Sequence, residues 1–287
     1  MKSPAVGLLL LVIVTLVWGT TFVVTKDTLA VIPPALLLAL RFTLALALMS
    51  WIKFDRKALK PALILGVLSF AGFAFQTLGI DLSSASNAAF ITGLSVVFTP
   101  LIARVFWRHH LHRIVYVAAA IALVGLGIMT LRDGFGAVSV GDMLVLITAV
   151  TYAVYIVYLG EIANDYKVSS IAMMQYLPMA LLSWIWAAPD VGLIRAMPLS
   201  AWLAILYLAA IATVAVTFLQ IIGQRVVSAS AAAVVYTLEP VSAGVFAYLF
   251  LGEQLGTLGW VGGAIMVCAM LLTQVPEMRA RRERISG

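Results

Sequence analysis

Apolar residues run through this chain in long unbroken stretches, separated by short polar interruptions. Ten such runs can be marked: 4–24, 34–53, 61–79, 84–106, 114–131, 141–160, 169–188, 198–221, 228–251 and 257–275. Each is near the roughly 20 apolar residues that an α-helix needs to cross the hydrocarbon of a bilayer. The runs are continuous rather than alternating, which excludes a transmembrane β-barrel. The pattern predicts an all-α integral membrane protein of ten transmembrane helices. Pro100 and Pro240 interrupt the fourth and ninth runs, and proline is tolerated in such helices where neighbours re-satisfy the freed carbonyl. The first run is read as a retained span. It is longer than a signal-peptide core, and no small-residue cleavage site follows it.

Composition agrees with the pattern. The hydrophobic fraction is 63% and the charged fraction 10%, against roughly 45–50% and 25% in soluble domains. The single cysteine, Cys268, allows no internal disulfide. The net charge of +6 matters through its placement. With the amino terminus in the cytoplasm, one side holds Lys2, Lys53, Arg56, Lys57, Lys60, Arg104, Arg108, Arg113, Lys167, Arg225 and the tail arginines 279–284. The other side holds only Lys26, Arg132 and Arg195. This asymmetry places both termini in the cytoplasm and the protein in an inner membrane as a multi-pass chain. The basic tail, 277–287, is either an anchor at anionic lipid or a solvated charge run. Nucleic acid is not an expected partner, and His109, His110 and His112 read as part of a basic loop rather than a metal site.

The chain also repeats itself. Residues 84–107 and 228–251 both open Ser-Ala-Ser and align without a gap through Ala88/Ala232, Leu94/Leu238, Val97/Val241, Ala103/Ala247 and Phe106/Phe250. The register continues to Leu111/Leu255, Val117/Val261 and Ile121/Ile265. The matched runs are the fourth and the ninth, so the repeat unit is five helices. An odd unit inserts its second copy upside down. The organisation is therefore 1–135 as a first five-helix repeat and 136–276 as a second, inverted one. Inverted repeats are a recurrent plan of secondary transporters. There is no phosphate-binding Gly-rich loop, no H-E-x-x-H and no histidine within a span, so ATP-driven transport and catalysis are not expected, nor is a cofactor.

The sequences "VWGTTF" (17–22), "SASAAAVVYTLEPV" (228–241) and "LFLGEQL" (249–255), with the five-plus-five plan, resemble the drug/metabolite transporter superfamily, EamA type. The first repeat departs from these motifs, with Val96 in place of Pro240 and Arg108-His109 in place of Gly252-Glu253. The resemblance implies a central cavity between spans 1–4 and 6–9, with spans 5 and 10 peripheral. It also implies export of small metabolites, amino acids among them. Some relatives of this kind carry drugs, nucleotide sugars or sugar phosphates. A non-transporting scaffold or receptor is the alternative from another class, although it would need neither inverted repeats nor polar groups at mid-depth.

Polar residues inside spans are the substrate-site candidates. Arg41 either snorkels to the outer face or attracts a carboxylate. Gln76, Asn87 and Gln175 either bond a neighbouring helix or a ligand. Trp18, Tyr152, Tyr155, Tyr176 and Tyr236 are packing residues or the lining of an amphipathic cavity. Glu239 lies about 11 residues into the ninth run, near mid-membrane by helix rise. It is the only carboxylate deep in a span, so proton coupling uses it or nothing. With Pro240 it marks either a structural bend or a point of substrate or proton contact. Ser86, Ala88, Ser230 and Ala232 stand in small-residue seams that allow close helix approach. With Pro240, they are the expected gates. The partners implied are a small-molecule substrate and membrane lipid, and nothing sets an oligomeric state.

Overall fold

The computed structural model describes residues 4–53, 55–107, 113–130, 139–162, 165–227, 235–272 and 275. The described residues are helical, joined by short turns, and include no strand. Helices α1 (Pro4–Leu29), α2 (Pro34–Met49), α3 (Leu59–Leu82), α4 (Ala85–Gly93), α5 (Ser95–Trp107) and α6 (Arg113–Thr130) form the first half of the chain. The second half holds α7 (Val140–Ile162), α8 (Val168–Ala187), α9 (Leu199–Ala209), α10 (Val216–Gln224), α11 (Leu238–Leu251) and α12 (Gly256–Leu272). A π turn, Ala210–Ala215, joins α9 to α10. Among the described residues, six helical stretches are long and apolar enough to cross a membrane, and shorter apolar helices accompany them.

Helices are the required answer to this composition. Hydrocarbon offers no hydrogen bonds, so each segment must satisfy its own backbone. The large apolar side chains that remain exposed face outward, such as Trp51, Leu199 and Phe250. The polar side chains inside spans turn inward, including Arg41, Asn87, Gln175 and Gln220. This distribution is that of a multi-pass membrane protein.

α1 packs on α10 and α11, α2 on α8, α3 on α7 and α8, and α4 on α11. α6 packs chiefly on α12. Small residues permit these approaches. A Cβ on Gly93 would lie 3.2 Å from Pro240 Cγ where α4 meets α11, and one on Gly263 would lie 2.7 Å from the Phe90 ring.

The breaks in the fourth and ninth runs do not fall at the prolines themselves. Pro100 lies inside the continuous α5. The interruption is a turn at Leu94, one helical turn and a half upstream, whose carbonyl accepts from Val97 N–H and Phe98 N–H, both at 2.9 Å. Pro100 leaves the Val96 carbonyl, in the first turn of α5, without its usual donor. The second break is a turn at Thr237, nearer to its proline, Pro240. Pro240 occupies the first turn of α11, where no intrahelical donor is required. In the gapless register Leu94 aligns with Leu238, so the two breaks fall within one residue of each other.

Candidate functional site

Both breaks open onto one cavity of about 120 Å³. Thr92, Gly93, Ser95 and Val96 line it from the first break, and Tyr236 and Glu239 from the second. The remaining walls come from α1, α2, α3, α7, α8 and the α9–α10 segment. No described residue of α6 or α12 lines it.

Of the ten substrate-site candidates read from the sequence, nine lie on this cavity: Trp18, Arg41, Gln76, Tyr152, Tyr155, Gln175, Tyr176, Tyr236 and Glu239. The tenth, Asn87, does not. Asn87 is five residues before the lining Thr92, hence about 140° around the helix from it. Its N–H donates to Ser84 Oγ at 3.1 Å, as an N-cap bond, and its Oδ1 is buried without a partner.

Aromatic rings and amides build the walls. The Phe42 and Phe73 rings meet edge-on at 5.2 Å between centroids, and Phe73 meets Tyr152 at 5.7 Å. Trp18 and Tyr236 stand 5.7 Å apart on the other side. Tyr152 hydroxyl donates to Gln76 Oε1 at 3.3 Å, and Gln76 Nε2 donates to Thr92 Oγ1 at 3.2 Å. Tyr155 hydroxyl donates to Gln175 Oε1 at 3.1 Å. The glutamines thus tie the α3 and α8 walls to α7 and α4.

Tyr152 reaches Gln76 because its ring lies directly on Gly72, where any Cβ would collide with it. Gly72→Leu is therefore expected to lower the melting temperature by several degrees, since overpacking costs about 1–3 kcal/mol. Thermal unfolding of the detergent-solubilised variant measures this, and an unchanged midpoint would show that the ring moves freely.

One basic and one acidic side chain enter the cavity. Arg41 is 3% exposed and does not snorkel. Its Nε donates to Thr213 Oγ1 at 2.8 Å, and its guanidinium carbon sits 4.7 Å from the Phe73 ring centroid. Its terminal nitrogens have no protein partner among the described residues. The Glu239 carboxylate has none either; only the backbone carbonyl of Glu239 is engaged, by Ser242 Oγ at 2.9 Å. Every other described lining residue is neutral.

Beyond the cavity, the start of α4 is sealed by a residue absent from the candidate set. Glu253 accepts from Ala85 N–H at 2.8 Å, Ser86 N–H at 3.0 Å and Ser86 Oγ at 2.7 Å. Gly252 makes this possible. It takes the left-handed conformation, φ 66°, that ends α11, which a glycine adopts without a Cβ clash. Glu253 N–H then returns to Ala247 carbonyl at 3.2 Å. The Leu-Gly-Glu stretch was the available signal, but its partner lies 167 residues away. Ser86 and Ala88 are both buried. Ser230 and Ala232 lie outside the described residues, as do the three loop histidines, the tail and the boundary between the proposed repeats.

At the same end, Lys26 Nζ donates to the carbonyls of Ile80, Asp81 and Ser83 at 2.8–3.0 Å. These bonds carry α1 to Leu29, five residues beyond the expected run. Ser83 Oγ donates to Asp142 Oδ1 at 2.6 Å.

Known proteins share this plan. A crystal structure superposes on the chain with a TM-score of 0.65 at 19% identity, covering 96% of this chain and 99% of that one. At that identity the likeness concerns the fold. An uncharacterized transporter of Archaeoglobus fulgidus is 28% identical over 267 residues, 92% of this chain and 84% of that protein. A second from the same organism is 26% identical over 289 residues, 94% and 97% of the two chains. The uncharacterized transporter YdfC of Bacillus subtilis is 25% identical over 231 residues, 74% and 71%. The model of the EamA-like transporter family matches twice, at residues 5–131 and 139–275. Together the two matches span nearly the whole sequence, and the chain belongs to the EamA-like transporter family.

Proposed function

We propose that this protein exports small zwitterionic metabolites, amino acids above all, across an inner membrane by alternating access. In this reading ten spans form two inverted five-helix halves with both termini in the cytoplasm. One observation carries it: an amphipathic cavity at the two helix breaks offers one cation and one carboxylate, neither paired to protein among the described residues. A zwitterion complements such a pair. Its carboxylate goes to Arg41, its ammonium to Glu239, and its side chain to the rings of Trp18, Phe73 and Tyr236. Sugar phosphates are a poorer match, because a dianion calls for clustered cations and Arg41 is the only cation among the described lining residues.

The breaks support the mechanism. They occupy equivalent places in the two halves, so each half can pivot about the site. The seam at Ser86 and Ala88 then closes the outer side, with Glu253 over it, and the seam at Ser230 and Ala232 closes the inner side. Glu239 has one further role to test. A proton antiporter needs a titratable group at the core, whereas a facilitator does not.

Counterflow of radiolabelled amino acids into proteoliposomes tests the reading. Wild-type protein is expected to accumulate at least one amino acid, and Glu239→Gln to raise its KM about tenfold, the size of one lost charge-assisted bond. No counterflow for any amino acid overturns the substrate class. Wild-type flux indifferent to an imposed proton gradient eliminates antiport.

A further inference from the structure

The α9–α10 segment is not a uniform helix. From Ala210 to Ala215 it widens into a π turn, a feature that appears disproportionately at functional sites. The local sequence, Ala-Ile-Ala-Thr-Val-Ala, contains neither proline nor glycine to force it. What the turn does is present Thr213 to the cavity by both its hydroxyl and its carbonyl.

The hydroxyl donates to the Leu208 carbonyl, five residues back, at 2.7 Å. Its proton is thereby committed, so the oxygen faces Arg41 as an acceptor. Arg41 Nε fills that position at 2.8 Å. The Thr213 carbonyl lies 3.3 Å from the Tyr176 hydroxyl, which is also 2.8 Å from Thr217 Oγ1 on the following turn. The π turn is thus held from two sides by groups on α2 and α8.

The consequence falls on Arg41. The Phe73 face, 4.7 Å from the guanidinium carbon, sets the plane of the group. Thr213 sets its rotation within that plane. A guanidinium can grip a carboxylate side-on, through Nε and one terminal nitrogen, or end-on, through both terminal nitrogens. With Nε occupied, only the end-on edge remains.

We propose that Thr213, presented by the π turn, is the positioning residue that makes Arg41 an end-on carboxylate receptor and so sets selectivity for carboxylates over their amides. This rests on the reading of Arg41 as the substrate's carboxylate partner.

The test measures binding directly and transport in parallel. Purified protein in detergent is titrated with benzoate and with benzamide, read by intrinsic tryptophan fluorescence, since Trp18 lines the cavity. Thr213→Ser keeps the hydroxyl, whereas Thr213→Val keeps the branched shape and removes it. Benzoate is expected to bind wild type and the Ser variant within about threefold of each other. The Val variant is expected to bind benzoate about tenfold more weakly, the equivalent of one charge-assisted hydrogen bond, with benzamide changed less than about twofold. The counterflow KM of the Val variant rises by a similar factor while Vmax stays within about twofold.

Should the Val variant not purify as folded protein, Thr213→Ala makes the same comparison. The proposal is overturned if wild type binds benzoate no better than benzamide, if the Val variant binds benzoate like wild type, or if both ligands weaken together. A Ser variant as weak as the Val variant overturns it too. Thr213-dependent benzoate selectivity without amino-acid counterflow sinks the amino-acid reading and keeps the carboxylate site. Counterflow that ignores Thr213 does the reverse.

Discussion

Arg41→Met is expected to abolish amino-acid transport while leaving the protein at least as stable as wild type. The two effects have separate causes. In wild type the guanidinium is taken out of water, holds one protein hydrogen bond, to Thr213, and has no carboxylate within ion-pair distance among the described residues. A desolvated cation in that position costs about 2.5–3.5 kcal/mol on membrane-insertion scales, partly offset by its contacts with the Phe73 and Phe42 rings. Methionine removes the charge and fills much of the same space with an adaptable apolar chain. Thr213 keeps its bond to Leu208, so no buried polar group is stranded. The melting temperature should therefore hold or rise.

Transport responds in the opposite direction. A carboxylate gripped end-on gains two charge-assisted bonds in a water-poor cavity, and losing them costs about 3 kcal/mol or more. That is a hundredfold or greater rise in KM, enough to lose the counterflow signal. Arg41→Lys should fall between the two. A single ammonium keeps the charge but cannot serve Thr213 and both carboxylate oxygens in one plane. Counterflow and thermal unfolding on the same preparations separate these outcomes. Transport within threefold of wild type in Arg41→Met eliminates the carboxylate role, and a much lower melting point makes Arg41 a structural residue instead.

How much of this was legible in the sequence depends on the kind of information each feature needs. A polar side chain in an apolar helix has few places to go, so its presence alone points inward. Hence Gln76, Gln175, Arg41 and Glu239 come together on one cavity although they lie on four different helices. Asn87 shows the limit of that argument. It is buried, as expected, but a helix has several inward directions, and Asn87 takes one that misses the cavity. The breaks were legible to within about two turns, from prolines that lie just downstream of them. The π turn was not legible at all. It is a tertiary arrangement, held by Arg41 and Tyr176 from other helices, written over a sequence that would otherwise continue as an α-helix. Glu253 was visible as part of a motif, but its role depends on Ala85 and Ser86, which no local pattern identifies as its partners.

Glu253→Ala is expected to open the outer end of the cavity. The Glu253 carboxylate accepts three hydrogen bonds of 2.7–3.0 Å at the start of α4. Its charge also sits at the positive end of that helix. Together these are worth about 2–3 kcal/mol. The bonds join the loop after α11 to the start of α4, so they cross between the two halves of the chain. If the halves rock as proposed, that motion must break them, and only the outer-closed state contains them. Removing them therefore shifts the equilibrium toward outer-open by roughly 30- to 150-fold. Lys26 supplies the contrast. Its three bonds tie α1 to the turn between α3 and α4, all within the first half, and they can survive the motion. Lys26→Met should lower stability without changing which side is open. The measurement uses a Cys268→Ser background, which removes the only cysteine, with Ile156→Cys on the cavity wall. Labelling by an impermeant maleimide is then timed from each face of oriented vesicles. Glu253→Ala should label at least about tenfold faster from the outer face and more slowly from the inner face. Faster labelling from both faces indicates general loosening. Unchanged rates reduce Glu253 to a helix cap with no part in gating. Glu253→Gln should lie between, because it keeps one accepting oxygen but turns an amide donor toward donors already there.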